Sequence, residues 1–254
     1  MIRCEKLTAG YGGKEVLHEI SWEAEKGKFT AVIGPNGSGK STLLKTILGQ
    51  TKVFGGDICL EGKPIKEYGS RELAKRIAYL PQHRDDAGIS VGRMVLHGRF
   101  PYIAFPRRYT VADEEKVGQA LKKMGIEALR DKPVSELSGG EKQKVYLAMA
   151  LVQDAPVFLL DEPAASLDLS CQLSLTAMLK TLSREGKTVV AVTHDLNYAL
   201  QYADKLLIIN KGRAVQYGTT EETLETGVME KVFGLHISRI RDDNGQTHYC
   251  FAVR

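Results

Sequence analysis

"FTAVIGPNGSGKSTLLKTI" (29–47) decides the fold. Phe29 to Ile33 is an unbroken apolar run suited to a strand covered on both faces. An amphipathic helix pattern follows over Ser41–Gly49. The turn between them fits G-x-x-x-x-G-K-[ST] in full, at Gly34, Gly39, Lys40 and Ser41. Glycines there let the backbone curl so that its N–H groups point at phosphate oxygens, and the helix start behind them adds partial positive charge. Gly34, Pro35, Asn36, Gly37, Ser38, Gly39, Lys40, Ser41 and Thr42 are therefore candidate nucleotide-binding residues. Lys40 suits the β- and γ-phosphates, and Ser41 offers a hydroxyl to Mg²⁺.

Outward from this loop, further apolar runs at 157–161 ("VFLLD"), 188–193 ("TVVAVT") and 205–210 ("KLLIIN") read as parallel strands. Helix patterns over Glu141–Asp154, Ser170–Arg184 and Leu196–Ala203 alternate with them. The expected fold is α/β: a mostly parallel sheet with helices on both faces, plus an antiparallel β edge from the N-terminal strands. Residues 84–153 carry helix patterns without a convincing strand and read as an inserted helical subdomain. It returns to the sheet at Ala155-Pro156. One domain over 1–254 then divides into a core lobe (1–83 and 154–227), that insertion, and a short C-terminal hairpin extension (228–254). Asn244-Gly245 supplies the turn signal for the hairpin.

Composition narrows the partners. The formal net charge is +4, with acids and bases interspersed; Arg107-Arg108 is the only tight basic pair outside helical patterns. No basic face for nucleic acid is written into the chain. Cys4, Cys59, Cys171 and Cys250 are far apart and form no CxxC or Cys/His cluster, so buried or idle thiols in a reducing compartment are expected. No apolar run approaches the ~18 residues of a membrane span. Any service to a membrane is from the cytoplasmic side.

The run "VFLLDEP" ends in Asp161-Glu162 at the carboxyl edge of the sheet, where ligands of such folds bind. Asp161 suits a Mg²⁺ partner and Glu162 a general base for an attacking water. His194, after "TVVAVT", falls at the same edge and can donate to a γ-phosphate. Gln82, in "YLPQH", is an amide able to touch Mg²⁺ or that water. Tyr11, between glycines, can offer its ring face to adenine, a contact worth ~1–3 kcal/mol.

A second glycine turn, "LSGGE" (137–141), lacks a lysine but joins Ser138, Gly139 and Gly140 to a helix start. That is an anion-facing cap, expected too far from the phosphate loop of its own chain. Two copies arranged head to tail solve this, with each cap closing over the γ-phosphate held by the other copy.

Tyr11, "GPNGSGKS", Gln82, "LSGGE", "VFLLDE", "SLD" (166–168) and His194 occur in the order and spacing of ATP-binding cassette ATPases, which the chain resembles over nearly its whole length. The resemblance implies a P-loop NTPase core, ATP with Mg²⁺, and Ser41, Gln82 and Asp161 as metal partners. It further implies that Glu141 lies in the nucleotide-binding signature and that Asp168 helps couple two sites at the dimer seam. "VLHGRFPY" (95–102), "KRIAYLPQ" (75–82) and "VTHDLNYALQYAD" are similar to importer subunits for ferric siderophores, haem or cobalamin. The implied partners are a second copy, transmembrane permease subunits and, indirectly, a substrate-binding protein, at the cytoplasmic face of the inner membrane. Arg99, Phe100 and Tyr102 are candidates for the permease-docking surface, near Gln82 and residues 84–102. Two departures stand out: Glu141 replaces the commoner glutamine, and "SVGRMVLHGR" lacks an early acidic residue. The rival readings are an exporter subunit, a soluble cassette ATPase acting on nucleic acid, ribosomes or cofactor assembly, and a P-loop phosphotransferase for a small acceptor. The phosphotransferase leaves "LSGGE" without a role.

Overall fold

The computed structural model describes residues 1–82, 88–103, 108–165, 167–243, 245 and 247–253. Arg107, Ser166, Asn244 and the 84–87 part of the docking segment lie outside the described residues. The chain forms two compact units, Met1–Glu67 with Thr176–Arg254, and Tyr68–Leu175.

In the first unit, β1 (Ile2–Tyr11), β2 (Lys14–Ala24), β4 (Lys52–Leu60) and β5 (Lys63–Pro64) make the antiparallel edge, in the order β2-β1-β4-β5. β3 (Phe29–Ile33) lies between β8 (Thr188–Val192) and β9 (Lys205–Asn210), parallel to both, and β10 (Arg213–Gly218) closes the side antiparallel to β9. Every residue of β3 and β8 is buried, which is why their sequences are continuously apolar rather than alternating. α1 (Lys40–Ile47) follows β3 directly.

Ala31, Ile33, Leu206 and Ile208 pack with Ala199 and Leu200 of α7 (Leu196–Tyr202) into one core cluster. Burying a side chain the size of Ile33 or Leu206 is worth about 1.5–3 kcal/mol. The unit ends with α8 (Thr220–Glu225), α9 (Val228–Phe233) and the β11 (Leu235–Arg241)/β12 (Thr247–Val253) hairpin. Ile237, Tyr249 and Phe251 attach that hairpin to the same cluster, over Met229. The hairpin expected over 228–254 therefore starts later. The first six residues of that extension form α9, bracketed by Gly227 and Gly234, both in the left-handed region.

The second unit holds α2 (Ser70–Arg76), the parallel pair β6 (Ile77–Leu80) and β7 (Val157–Asp161), α3 (Val91–Leu96), α4 (Val111–Lys123) and α5 (Gly139–Val152). α6 (Leu169–Arg184) spans the boundary between the units. Among the described residues between 84 and 153 there are helices and no named strand. Arg99 corrects an expectation. It is buried, donates to Asp113 at 2.8 Å and to the Val152 carbonyl at 3.0 Å, and stacks on the Tyr102 ring at 4.0 Å. It pins α4 and α5 from within and is no part of a docking surface, whereas Phe100 is 53% exposed. Against the opposing pull of desolvation, the Thr110 amide and Arg99 hold the Asp113 carboxyl below its ordinary range.

Candidate active site

In the first unit the site is built on the end of β3. Gly34 sits so close to the β9 backbone that a Cβ there would lie 2.0 Å from the Ile209 carbonyl, so only glycine fits. The Ser38 hydroxyl is inside the loop, 2.8 Å from that same point, buried and without a hydrogen-bond partner among the described residues. The Lys40 ammonium is buried and donates to the carbonyls of Gly34 at 2.8 Å and Pro35 at 3.0 Å. Folded back in this way, the lysine is held within its own loop.

α1 starts at Gly39 with no side-chain cap and no acid in its first turn, whereas α4, α5 and α8 begin with capping boxes completed by Asp113, Glu141 and Glu222. An uncapped helix start, a buried cation and an orphaned hydroxyl on one loop fit the triphosphate of a nucleotide.

Gly212, in the β9–β10 turn, was not legible as a site residue. Its N–H donates to the Ser38 carbonyl at 3.0 Å, and its carbonyl accepts from the His18 amide at 2.8 Å. It thereby ties the phosphate loop to β2. It has φ of 75°, and a Cβ there would meet the Val16 carbonyl at 2.1 Å. Gly212→Ala is expected to lower stability by roughly 1–3 kcal/mol and to weaken ATP binding, measured by thermal melting and nucleotide titration. A variant that melts and binds like the parent would show that this tie does not hold the loop.

Tyr11 ends β1 at a two-residue turn through Gly12 and Gly13, paired across it with Lys14, and is 45% exposed. Val16 and Leu17 of the same hairpin lie against Gly39. His194 follows β8 by two residues and is exposed. Val192 is in register with Val32, and the Thr193 amide donates to the Val32 carbonyl at 3.1 Å. His194 therefore leaves the sheet at the same edge as the phosphate loop. Asp195 accepts from the Tyr198 amide and caps α7 behind it.

In the second unit, register brings two candidates together. Leu80 pairs with Leu160, so Gln82 and Glu162 emerge side by side, and the Gln82 amide donates to the Glu162 carboxylate at 2.8 Å. The neighbouring Asp161 is buried. Glu162 has φ of 51°, a left-handed conformation that a non-glycine residue adopts at a cost and that clusters at functional sites. Asp168 accepts from the Ser170 hydroxyl at 2.9 Å and the Cys171 amide at 2.8 Å, at the start of α6. The Cys171 amide first, then Ser170, lowers its carboxyl below the usual range. Ser138 caps α5, with Gly139, Gly140 and Glu141 forming its first turn.

Among the described residues, no three His, Cys, Asp or Glu side chains cluster to hold a metal ion by themselves. Ser41, Gln82 and Asp161 carry hydroxyl, amide and carboxylate oxygens. Such hard donors suit Mg²⁺, which is usually held by few protein groups together with waters and substrate phosphates. Their chemistry fits the ion.

The family model described as ABC transporter matches residues 17–165. The chain belongs to the ABC transporter family. It is 41% identical over 243 residues to the ferric enterobactin transport ATP-binding protein FepC of Escherichia coli (strain K12), covering 95% of this chain and 90% of that one. It is 39% identical over 254 residues to the petrobactin import ATP-binding protein YclP of Bacillus subtilis (strain 168), covering 99% of this chain and all of the other. A solved ABC transporter described as of metal-chelate type, in an inward-facing conformation, superposes with a TM-score of 0.85 at 28% identity, covering 100% and 98% of the two chains. This ABC cassette is thus an ATPase subunit by family, and cassettes of the family dimerise and work with transmembrane permease subunits. None of its described helices is long and apolar enough to cross a membrane.

Proposed function

We propose that this cassette is the ATP-hydrolysing subunit of an importer for a metal chelate, and among the chelates we favour a ferric siderophore. The observation that carries this reading is similarity over almost the full length to FepC, a ferric enterobactin transport protein. The loop amides, Ser38 and Lys40 hold the β- and γ-phosphates, and Tyr11 stacks on adenine. Ser41, Gln82 and Asp161 hold Mg²⁺, which when bound neutralises phosphate charge.

A water oxygen bonds to the γ-phosphorus, the bond to the bridging oxygen of ADP breaks, and Glu162 takes the water's proton. His194 donates to the γ-phosphate, and Ser138, Gly139 and Gly140 of a second copy supply the remaining donors. Asp168 couples the two sites at the seam. The Gln82–Glu162 hydrogen bond gives the permease a lever on the base, because whatever moves Gln82 frees or holds Glu162.

For the permease we favour the apolar hollow of about 310 Å³ lined by Ser70, Arg71, Ala74, Phe100, Pro101 and Ile103. Arg71 steadies its rim by donating to the carbonyls of Pro101 and Ile103. Docked there, the cassette is peripheral to the cytoplasmic face of the membrane, and a substrate-binding protein acts through the permease.

Purifying the chain with its own permease, adding binding protein loaded with one chelate at a time, and measuring ATP turnover tests the cargo. Stimulation by a ferric siderophore complex and by neither haem nor cobalamin is expected. Stimulation by haem or cobalamin in its place would overturn the siderophore reading.

A further inference from the structure

The signature turn of this ABC cassette already holds an anion. The Ser138 hydroxyl donates to Glu141 Oε2 at 2.8 Å, and the Ser138 amide donates to the same oxygen at 2.9 Å. The Glu141 amide returns a bond to the Ser138 hydroxyl at 3.3 Å. A serine hydroxyl has one proton to give, so while Glu141 receives it, a phosphate oxygen does not. The Ser138 amide first, then its hydroxyl, holds the Glu141 carboxyl below the ordinary glutamate range, which keeps it charged at neutral pH. The same capping box at Thr110/Asp113 and Thr219/Glu222 only steadies a helix start. At Ser138 the box occupies the hydroxyl that the proposed mechanism assigns to the partner's ATP.

We infer that the Glu141 carboxylate is a displaceable internal anion that fills the γ-phosphate seat of the open chain, so that Glu141 sets the ATP concentration at which two copies close. This rests on the reading of Ser138 as a group that acts across the dimer. Closing brings the γ-phosphate to a hydroxyl that already contacts a carboxylate. Glu141 must then release Ser138 and turn away, against repulsion between like charges. Glu141 is half-buried rather than enclosed, and its bond to the Ser138 amide lies at the exposed surface. A glutamine at 141 retains an oxygen to accept from the Ser138 amide and loses the charge. The two closed sites of a dimer each contain one such displacement, so the effect is felt twice per closure.

The test uses the full-length chain carrying Glu162→Gln, with and without Glu141→Gln, and follows dimer fraction against Mg-ATP concentration by sedimentation velocity at low and high salt. Half-dimerisation of the double variant is expected at roughly three- to tenfold less ATP at low salt. The gap should narrow as salt screens the repulsion. A merely structural role of the box would leave no such salt dependence. Thermal melting checks that the two chains are equally folded. Glu141→Ala, which removes cap and charge together, should share the low-ATP shift even if it melts earlier. Equal midpoints for the two Glu162→Gln chains would overturn the inference and leave the shared-site reading intact. Failure of both chains to dimerise in saturating Mg-ATP would overturn that reading, and this inference with it.

Discussion

A Glu162→Gln chain is expected to retain ATP binding, to hydrolyse it about 10²- to 10⁴-fold more slowly, and to accumulate as an ATP-loaded dimer. The substitution is isosteric, removes the group proposed to take a proton from the attacking water, and leaves the Gly34–Thr42 loop untouched. Its backbone demand is also met, because glutamine and glutamate carry the same cost at the φ of 51° found here. Gln82 keeps an oxygen to donate to, although the contact loses its charge. Single-turnover kinetics separate binding from chemistry, and sedimentation reports the dimer. Monomers persisting in saturating Mg-ATP while hydrolysis is lost would mean that Glu162 acts without a closed dimer. Full turnover would remove Glu162 from the base position.

Lys40→Ala is expected to cut hydrolysis by at least ~10²-fold, the scale of losing one preorganised donor to a developing charge, and to weaken ATP binding. The structure gives a second reason. Lys40 is buried and bridges the Gly34 and Pro35 carbonyls, so its loss also frees the loop it should organise. Lys40→Arg does not restore function in this account, since a planar guanidinium cannot sit as a point charge within the same turn. Nucleotide titration and steady-state turnover decide the matter. Unchanged hydrolysis in Lys40→Ala would refute the phosphate-loop assignment.

Those elements that bury both faces were readable in advance. The runs at 29–33 and 157–161 coincide with β3 and β7, because a fully covered strand writes its burial as an unbroken apolar stretch. The glycine-rich turn over 34–39 was equally readable, since a strand precedes it and a helix follows it as its spacing predicts. What escaped depends on neighbours distant in sequence. Gly212 anchors Ser38 only because β9 runs beside β3, and a turn glycine in "NKGR" carries no trace of that. Arg99, in a segment that invites an exposed reading, is buried because Asp113 waits for it. The left-handed backbone of Glu162 is invisible in "DEP". Ser138 and Glu141 both stand out in the sequence, but only the folded turn brings one carboxylate oxygen to both serine donors.

The central claim is that two copies of this ABC cassette complete each other's sites. It is tested most directly by a cryo-EM map of the Glu162→Gln chain loaded with Mg-ATP. Shared sites require the Ser138 hydroxyl of one copy to lie at hydrogen-bond distance, about 2.5–3.0 Å, from the γ-phosphate held by the other copy's Lys40 loop. A map with nucleotide on that loop and Ser138 facing solvent, or bonded only to its own Glu141, would contradict it.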